Sequence, residues 1–167
     1  CSQSRGLGDV YKRQVLMKFK PHPHYKNGAF LDLDSQKFSG SLVGQMLPQV
    51  ILENSDSKAS RLDDFLGNGF AIIIQDERLI EKAIGVSKNL FNREKLKIIF
   101  MGRTKSKMLH CVTHLLPNED VLLHRIWAHR DQIILVRPDR YVAASFSDES
   151  QSDILDKLRK VLNLKNS

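Results

Sequence analysis

Residues 132–146, QIILVRPDRYVAASF, constrain the fold more tightly than any other stretch of the chain. Four consecutive apolar residues, Ile133 to Val136, meet a second run that reads as a half-buried strand, Tyr141 to Phe146, across Arg137, Pro138, Asp139 and Arg140. Pro138 fixes φ at about −65°, and Asp139 can accept backbone N–H bonds in a turn from which Arg137 is expected to project away. The segment therefore predicts two antiparallel strands joined by a tight hairpin. A strand that is apolar at every position is buried on both faces, so covering layers are required above and below the sheet.

The periodicity upstream and downstream supplies those layers. Val50 to Glu53 reads as a strand, Arg61 to Leu66 as a short helix closed by Gly67, and Phe70 to Gln75 as a buried strand. Leu79, Ile80, Ala83, Ile84, Leu90 and Phe91 then recur at helical spacing, and Leu96 to Met101 is the next buried strand. Residues 108–116, MLHCVTHLL, have too short a period to separate strand from helix. Asn118 offers an N-cap, with Glu119 and Asp120 in the first turn and His129 and Arg130 in the last turn of a helix whose dipole they complement. Ile154, Leu155, Leu158, Val161 and Leu162 place an amphipathic helix at the end. The order β-α-β-α-β-α-β-β-α is that of a thioredoxin-like α/β fold, a mixed sheet with helices on both faces.

A chain of 167 residues is enough for one domain with a real core. Its first fourteen residues, CSQSRGLGDVYKRQ, share no periodicity with the rest and resemble translated sequencing-adaptor read-through, so they are set aside. Without them the formal charge of +7 falls by 2 to +5, a mild basic excess that favours solubility more than nucleic-acid binding. Residues 19–47 are rich in Pro, Gly, Ser and Asn, with Pro21 and Pro23 enforcing extended backbone and Asn27-Gly28 supplying a tight turn. Such a strap belongs across something larger, which suggests a piece of a longer protein. The expected organisation is a non-native tail at 1–14, a strap and linker at 15–48 that comes from the end of a catalytic region, and the α/β domain at 49–167. Cys1 lies in the tail, and Cys111 has no partner for a disulfide or a CxxC pair, which points to a reducing, cytoplasmic setting. No apolar run approaches the roughly 20 residues that cross a bilayer, and no secretory signal is present.

Four blocks carry a family likeness: MKFKPHPHYKNGAF from Met17, GQMLPQ from Gly44, LDDFLGNGFAIII from Leu62, and the hairpin from Gln132. In this order and at these separations they resemble the C-terminal, thioredoxin-like domain of FAD-dependent aromatic-ring monooxygenases, in particular the 3-(3-hydroxyphenyl)propionate hydroxylase group. The likeness runs from Val15 to Leu164. The positions that carry it as a structural signature are Lys18, Pro21, Pro23, Gly28, Asp63, Gly67, Phe70, Arg137, Pro138, Asp139 and Val142. At its PQP-like motif the chain departs from the family, since Gln49 runs into Val50 without the usual proline, implying a shorter linker.

For an intact parent the resemblance implies that a nicotinamide cofactor reduces FAD, oxygen adds to the flavin, and a phenol is hydroxylated next to its existing hydroxyl group. It implies the remainder of the flavoprotein as partner, a homodimer contact as a further one, and neither nucleic acid nor membrane. FAD and NAD(P)H belong to the parent, because no GxGxxG fingerprint occurs at a strand-to-helix turn of this chain. No catalytic, cofactor-binding or metal residue carries over, and the fragment reads as a packing or subunit-contact domain.

Each remaining polar feature has a structural reading beside a chemical one. Redox members of the fold place two cysteines at the start of the helix after the second strand, where the helix N-terminus lowers a thiol pKa. Here that position reads Gln75-Asp76-Glu77-Arg78, and no proline precedes Ile133 where redox members have a cis-proline. A free-standing redox protein would have to use Cys111, whose Leu, His and Val neighbours read instead as a partly buried strand or helix. His110 and His114, and His22 and His24, lack the further ligands a metal needs. Lys95, Lys97, Arg103, Lys105 and Lys107 form a basic cluster that could suit a nucleic-acid module, but no aromatic residues interleave them. Asp63 and Asp64 read as helix-start and solvent carboxylates pointing in different directions, not as an acid/base pair.

Overall fold

Two strands without a polar side chain anchor the structure: Ala71–Ile74 (β3) and Ile133–Val136 (β6) are buried at every position. The computed structural model describes residues 41–53, 59–90, 96–102, 111–117, 123–147 and 151–161. The tail, the strap with Lys18, Pro21, Pro23 and Gly28, residues 22, 24, 95, 103, 105, 107 and 110, and the cap expected at 118–120 lie outside them.

β3 pairs in parallel with Lys97–Met101 (β4), which pairs in parallel with Val112–Pro117 (β5). On its other side β3 pairs antiparallel with β6, and β6 pairs antiparallel with Val142–Phe146 (β7). This five-stranded mixed sheet is extended at β5 by an antiparallel pair, Ile51–Glu53 (β1) and Ala59–Arg61 (β2), giving the order β2-β1-β5-β4-β3-β6-β7 among the described residues. A parallel β-helix-β unit followed by an antiparallel hairpin is the thioredoxin-like arrangement expected from the periodicity. It places the helix Ile80–Leu90 directly after β3.

Because side chains alternate across a strand, each central strand feeds two cores. Ile72, Ile74, Ile98, Phe100, Ile133 and Leu135 face one layer, made by the helix Ile80–Leu90 (α2) and the closing helix Gln151–Val161 (α4). Ile73, Ile99, Met101, Ile134 and Val136 face the other. That second layer is built from the helices Leu62–Leu66 (α1) and Leu123–Trp127 (α3) and from an extended segment whose Leu42, Val43, Leu47 and Val50 are all buried. Each fully buried Ile or Leu contributes about 1.5–3 kcal/mol relative to exposure, so both layers hold the sheet.

Several elements differ from the expectation. The ambiguous piece at 108–116 ends in strand β5, whose identity is fixed by pairing with β4 rather than by its own period. Cys111 sits in a turn just before β5 and is exposed, not partly buried, because the strand that would cover it begins one residue later. The helix expected to end at Arg130 is described as helical only over Leu123–Trp127. His129 and Arg130 follow in tight turns, their N–H groups reaching the carbonyls of Ile126 and Trp127. Strand β2 is additional, since its residues carry no apolar pattern. The single-turn helix α1 forms as expected: the Asp64 carboxylate accepts the Arg61 N–H, and Gly67 closes it at φ 69°.

Candidate functional site

The sheet presents two ends. At one, β3 and β4 finish and β6 begins; here redox members of the fold place their thiols. At the other, β6 turns through the hairpin into β7.

At the first end, Asp76 caps a 3-10 turn, Glu77–Leu79, that leads into α2. Its carboxylate accepts the backbone N–H of Arg78 (2.9 Å) and pairs with the Arg78 guanidinium (2.5 Å). The Arg78 side-chain hydrogen bond holds the Asp76 carboxyl below its usual range, against the opposing effect of burial. An aspartate already occupies the helix start, so the position offers no electropositive pocket for a thiolate or anion.

Extending the β3/β6 register past Ile73 and Ile134 sets Gln75 opposite Gln132, the residue in place of the cis-proline. Gln75 is buried and donates through Nε2 to the carbonyl of Ile126 (2.7 Å), tying α3 to the sheet. Gln132 Oε1 accepts from His129 Nδ1 (2.8 Å) and from the Ser145 hydroxyl. Next to them, a Cβ at Gly102 would fall 2.2 Å from the ring of Phe100, which stacks on His114. His114 in turn donates from Nε2 to the Gly102 carbonyl (2.7 Å). These hydrogen bonds tie packed elements together, while the other amide atom of Gln75, Oε1, is buried without a hydrogen-bond partner.

Cys111 is nowhere near it. Register places residue 111 level with Lys97, at the start of β4, two strands across from β3. With about 3.3 Å per residue along a strand and 4.8 Å between strands, it lies on the order of 15 Å from the start of α2.

The hairpin end holds the expected signature positions that fall within the described residues. Arg137 to Tyr141 form a turn in which Arg140 N–H reaches the Arg137 carbonyl (3.0 Å) and Arg137 N–H the Tyr141 carbonyl (2.8 Å). This three-residue loop demands a left-handed residue at its last position, and Arg140 fills it at φ 69°. Asp139 accepts the Tyr141 N–H (3.3 Å) as expected. Arg137, however, does not project away: Pro138 folds the turn so that its guanidinium meets the Asp139 carboxylate at 2.7 Å.

The residue that sequence reasoning missed is Arg140. Its side chain leaves the turn and donates to the carbonyl of Gly67 (2.8 Å), and its Nε pairs with Asp63 at 3.1 Å. The second oxygen of Asp63 accepts a short hydrogen bond from Gln49 of the linker. Asp63 is thus not a solvent carboxylate but the hub of a clasp joining linker, α1 and hairpin. The linker is also bonded through its backbone: Gly44 N–H to the Val142 carbonyl, Val142 N–H to Gln45, and Leu47 N–H to Arg140. Gln45, buried, accepts from Arg125 of α3 (2.8 Å). Of the other signature residues, Phe70 accepts the Lys97 N–H and packs on the first core, and Val142 is buried in the second. The Lys97 side chain, expected in a basic cluster, lies over Gly67.

Among the described residues no three His, Cys, Asp or Glu side chains converge as a metal set, and no helix is long and apolar enough to cross a membrane.

Sheet order and helix placement define a thioredoxin-like domain whose redox position carries no cysteine. The model of the HcaD C-terminal domain family matches residues 44–161, and the chain belongs to that family. A curated relative is the 3-(3-hydroxy-phenyl)propionate/3-hydroxycinnamic acid hydroxylase of Mycolicibacterium gilvum (strain PYR-GCK), 31% identical over 92% of this chain and 28% of the relative. The chain therefore spans little more than a quarter of the length of the curated relatives it matches. Two solved structures share the fold. Aklavinone-11 hydroxylase, in a ternary complex with FAD and aklavinone, superposes with a TM-score of 0.59 at 20% identity, over 85% of this chain and 26% of that one. The flavin-dependent monooxygenase PieE, in complex with FAD and substrate, gives 0.56 at 17% identity, over 85% and 25%.

Proposed function

We propose that this chain is the C-terminal portion of a longer FAD- and NAD(P)H-dependent phenolic-ring hydroxylase of the 3-(3-hydroxyphenyl)propionate class, and that its domain is a non-catalytic packing or subunit-contact unit. The observation that carries the reading is the match of residues 44–161 to a C-terminal domain family whose relatives are hydroxylases. The hairpin end supports it, because its polar side chains are spent on holding a linker in place. In the intact protein FAD and the nicotinamide are held by residues outside this domain, in the cytoplasm. The flavin region would couple NAD(P)H oxidation to insertion of one oxygen atom into the phenol, the second leaving as water.

The test is to purify the gene-length protein and record its visible spectrum and its NAD(P)H oxidation. The reading expects flavin bands and oxidation stimulated by 3-(3-hydroxyphenyl)propionate with a catechol product. A colourless protein would overturn it.

The exposure of Cys111 favours one second reading, a thiol-based redox protein. Its position argues against it, since the start of α2, whose N-terminus would favour a thiolate, lies on the order of 15 Å away.

A further inference from the structure

Large apolar side chains remain uncovered at the hairpin end, on the face occupied by α2 and α4. Met46 is 53% exposed and pairs across an antiparallel bridge with the half-buried Tyr141, which sets the two side chains side by side on one face. Their neighbours Gln45 and Val142 point to the opposite face and are buried there. Val161, 38% exposed, ends α4. Arg159 donates to the carbonyl of Asn89 (3.0 Å), placing the last turn of α4 beside the last turn of α2, whose chain leads on to the start of β4 at the hairpin end. Met46, Tyr141 and Val161 thus share an end and a face. The other exposed large apolar residues among those described, Ile51 and Trp127, lie on the far edge and on the opposite layer.

We infer that this patch is where the domain seats against the upstream part of its own polypeptide, an inference that rests on reading the chain as part of a flavoprotein. The linker is bonded to the hairpin at residues 44–47, which fixes this edge as the place where the linker joins the sheet. Most of the length of the matched relatives lies outside this chain, which leaves a larger body to cover the patch. Two ion pairs nearby, Arg137 with Asp139 and Arg159 with Asp156, are internally neutralised, and exposed Lys157 and Lys160 of α4 give the apolar patch a basic rim. A patch of this size is smaller than the roughly 800 Å² per partner of a stable free interface. A short tether raises the effective concentration to about millimolar, so docking within one chain needs far less area.

Methionine oxidation by dilute peroxide, read by peptide mass spectrometry, tests the inference. In the isolated chain Met46 should oxidise as an exposed methionine, while buried Met101 stays slow and reports that the domain is folded. In the gene-length flavoprotein Met46 should oxidise at least roughly tenfold more slowly. Equal Met46 rates in the two, with flavin bands present in the longer protein, would overturn the docking surface and leave the flavoprotein reading intact. A longer protein without flavin would end both.

Discussion

At the end of the sheet where thioredoxin-like proteins do chemistry, the polar side chains cap a turn and tie packed elements to the sheet. Asp76 caps its own turn, Gln75 holds α3 against the sheet, and Gln132 accepts from His129 and Ser145. At the hairpin end the polar bonds run between segments far apart in sequence: Arg140 reaches back to Asp63 and Gly67, and Asp63 reaches the linker at Gln49. The redox end, without thiols, is a packed cap, while the hairpin end ties linker, α1 and hairpin together through one side-chain clasp. The helix N-terminus that would favour a thiolate is already neutralised by an aspartate, so restoring a cysteine alone would not restore reactivity.

The two ends should respond differently to substitution, and the largest effect belongs to the cap. Gly102→Ala would drive a Cβ into the buried Phe100 ring at 2.2 Å, and overpacking of this kind costs about 2–3 kcal/mol, measurable by urea denaturation. A neutral result would mean that the Phe100–His114 stack yields easily and the cap is soft. At the hairpin, Arg140→Ala should cost about 2 kcal/mol through its lost bonds to Asp63 and Gly67, discounted for their partial exposure. Arg140→Gly loses the same bonds but relieves the left-handed backbone, recovering about 1 kcal/mol. Glycine should therefore be the milder change, and the reverse order would remove the clasp from the account.

Asp76→Ala should cost about 1 kcal/mol as a lost cap. Because its carboxyl is held below the ordinary value of 3.8, its contribution is present above that pH and lost as pH falls through the depressed folded value. Thermal melts from pH 7 to 2 should accordingly fall less steeply below about pH 4 in the variant than in the parent. The smallest effect is Cys111→Ser, expected to stay within about 0.5 kcal/mol because the side chain is exposed in a turn.

Much of the scaffold could be read from residue order. Ile72 to Ile74 and Ile133 to Val136 announce strands buried on both faces, and Gly67 marks the end of α1, because these signals are local. β2 could not be read, since Ala59 to Arg61 owe their conformation to pairing with β1. β5 was ambiguous for the same reason: half-exposed Val112 and His114 take their register from β4. The linker hides its buried residues because an extended segment crossing a layer has no period, so Leu42, Val43 and Leu47 look like strap. Arg140 was invisible as a clasp residue because its partners lie more than seventy positions away. One signal could have suggested it: a non-glycine at the left-handed position of a hairpin loop carries a strain that its side chain must offset.

The claim that this domain is a structural unit rather than a thiol catalyst is tested most directly by its ability to speed disulfide reduction. Purified domain, added to a protein disulfide in dithiothreitol at neutral pH, should leave the rate equal to that of buffer alone. An acceleration that disappears in the Cys111→Ser variant would contradict the account.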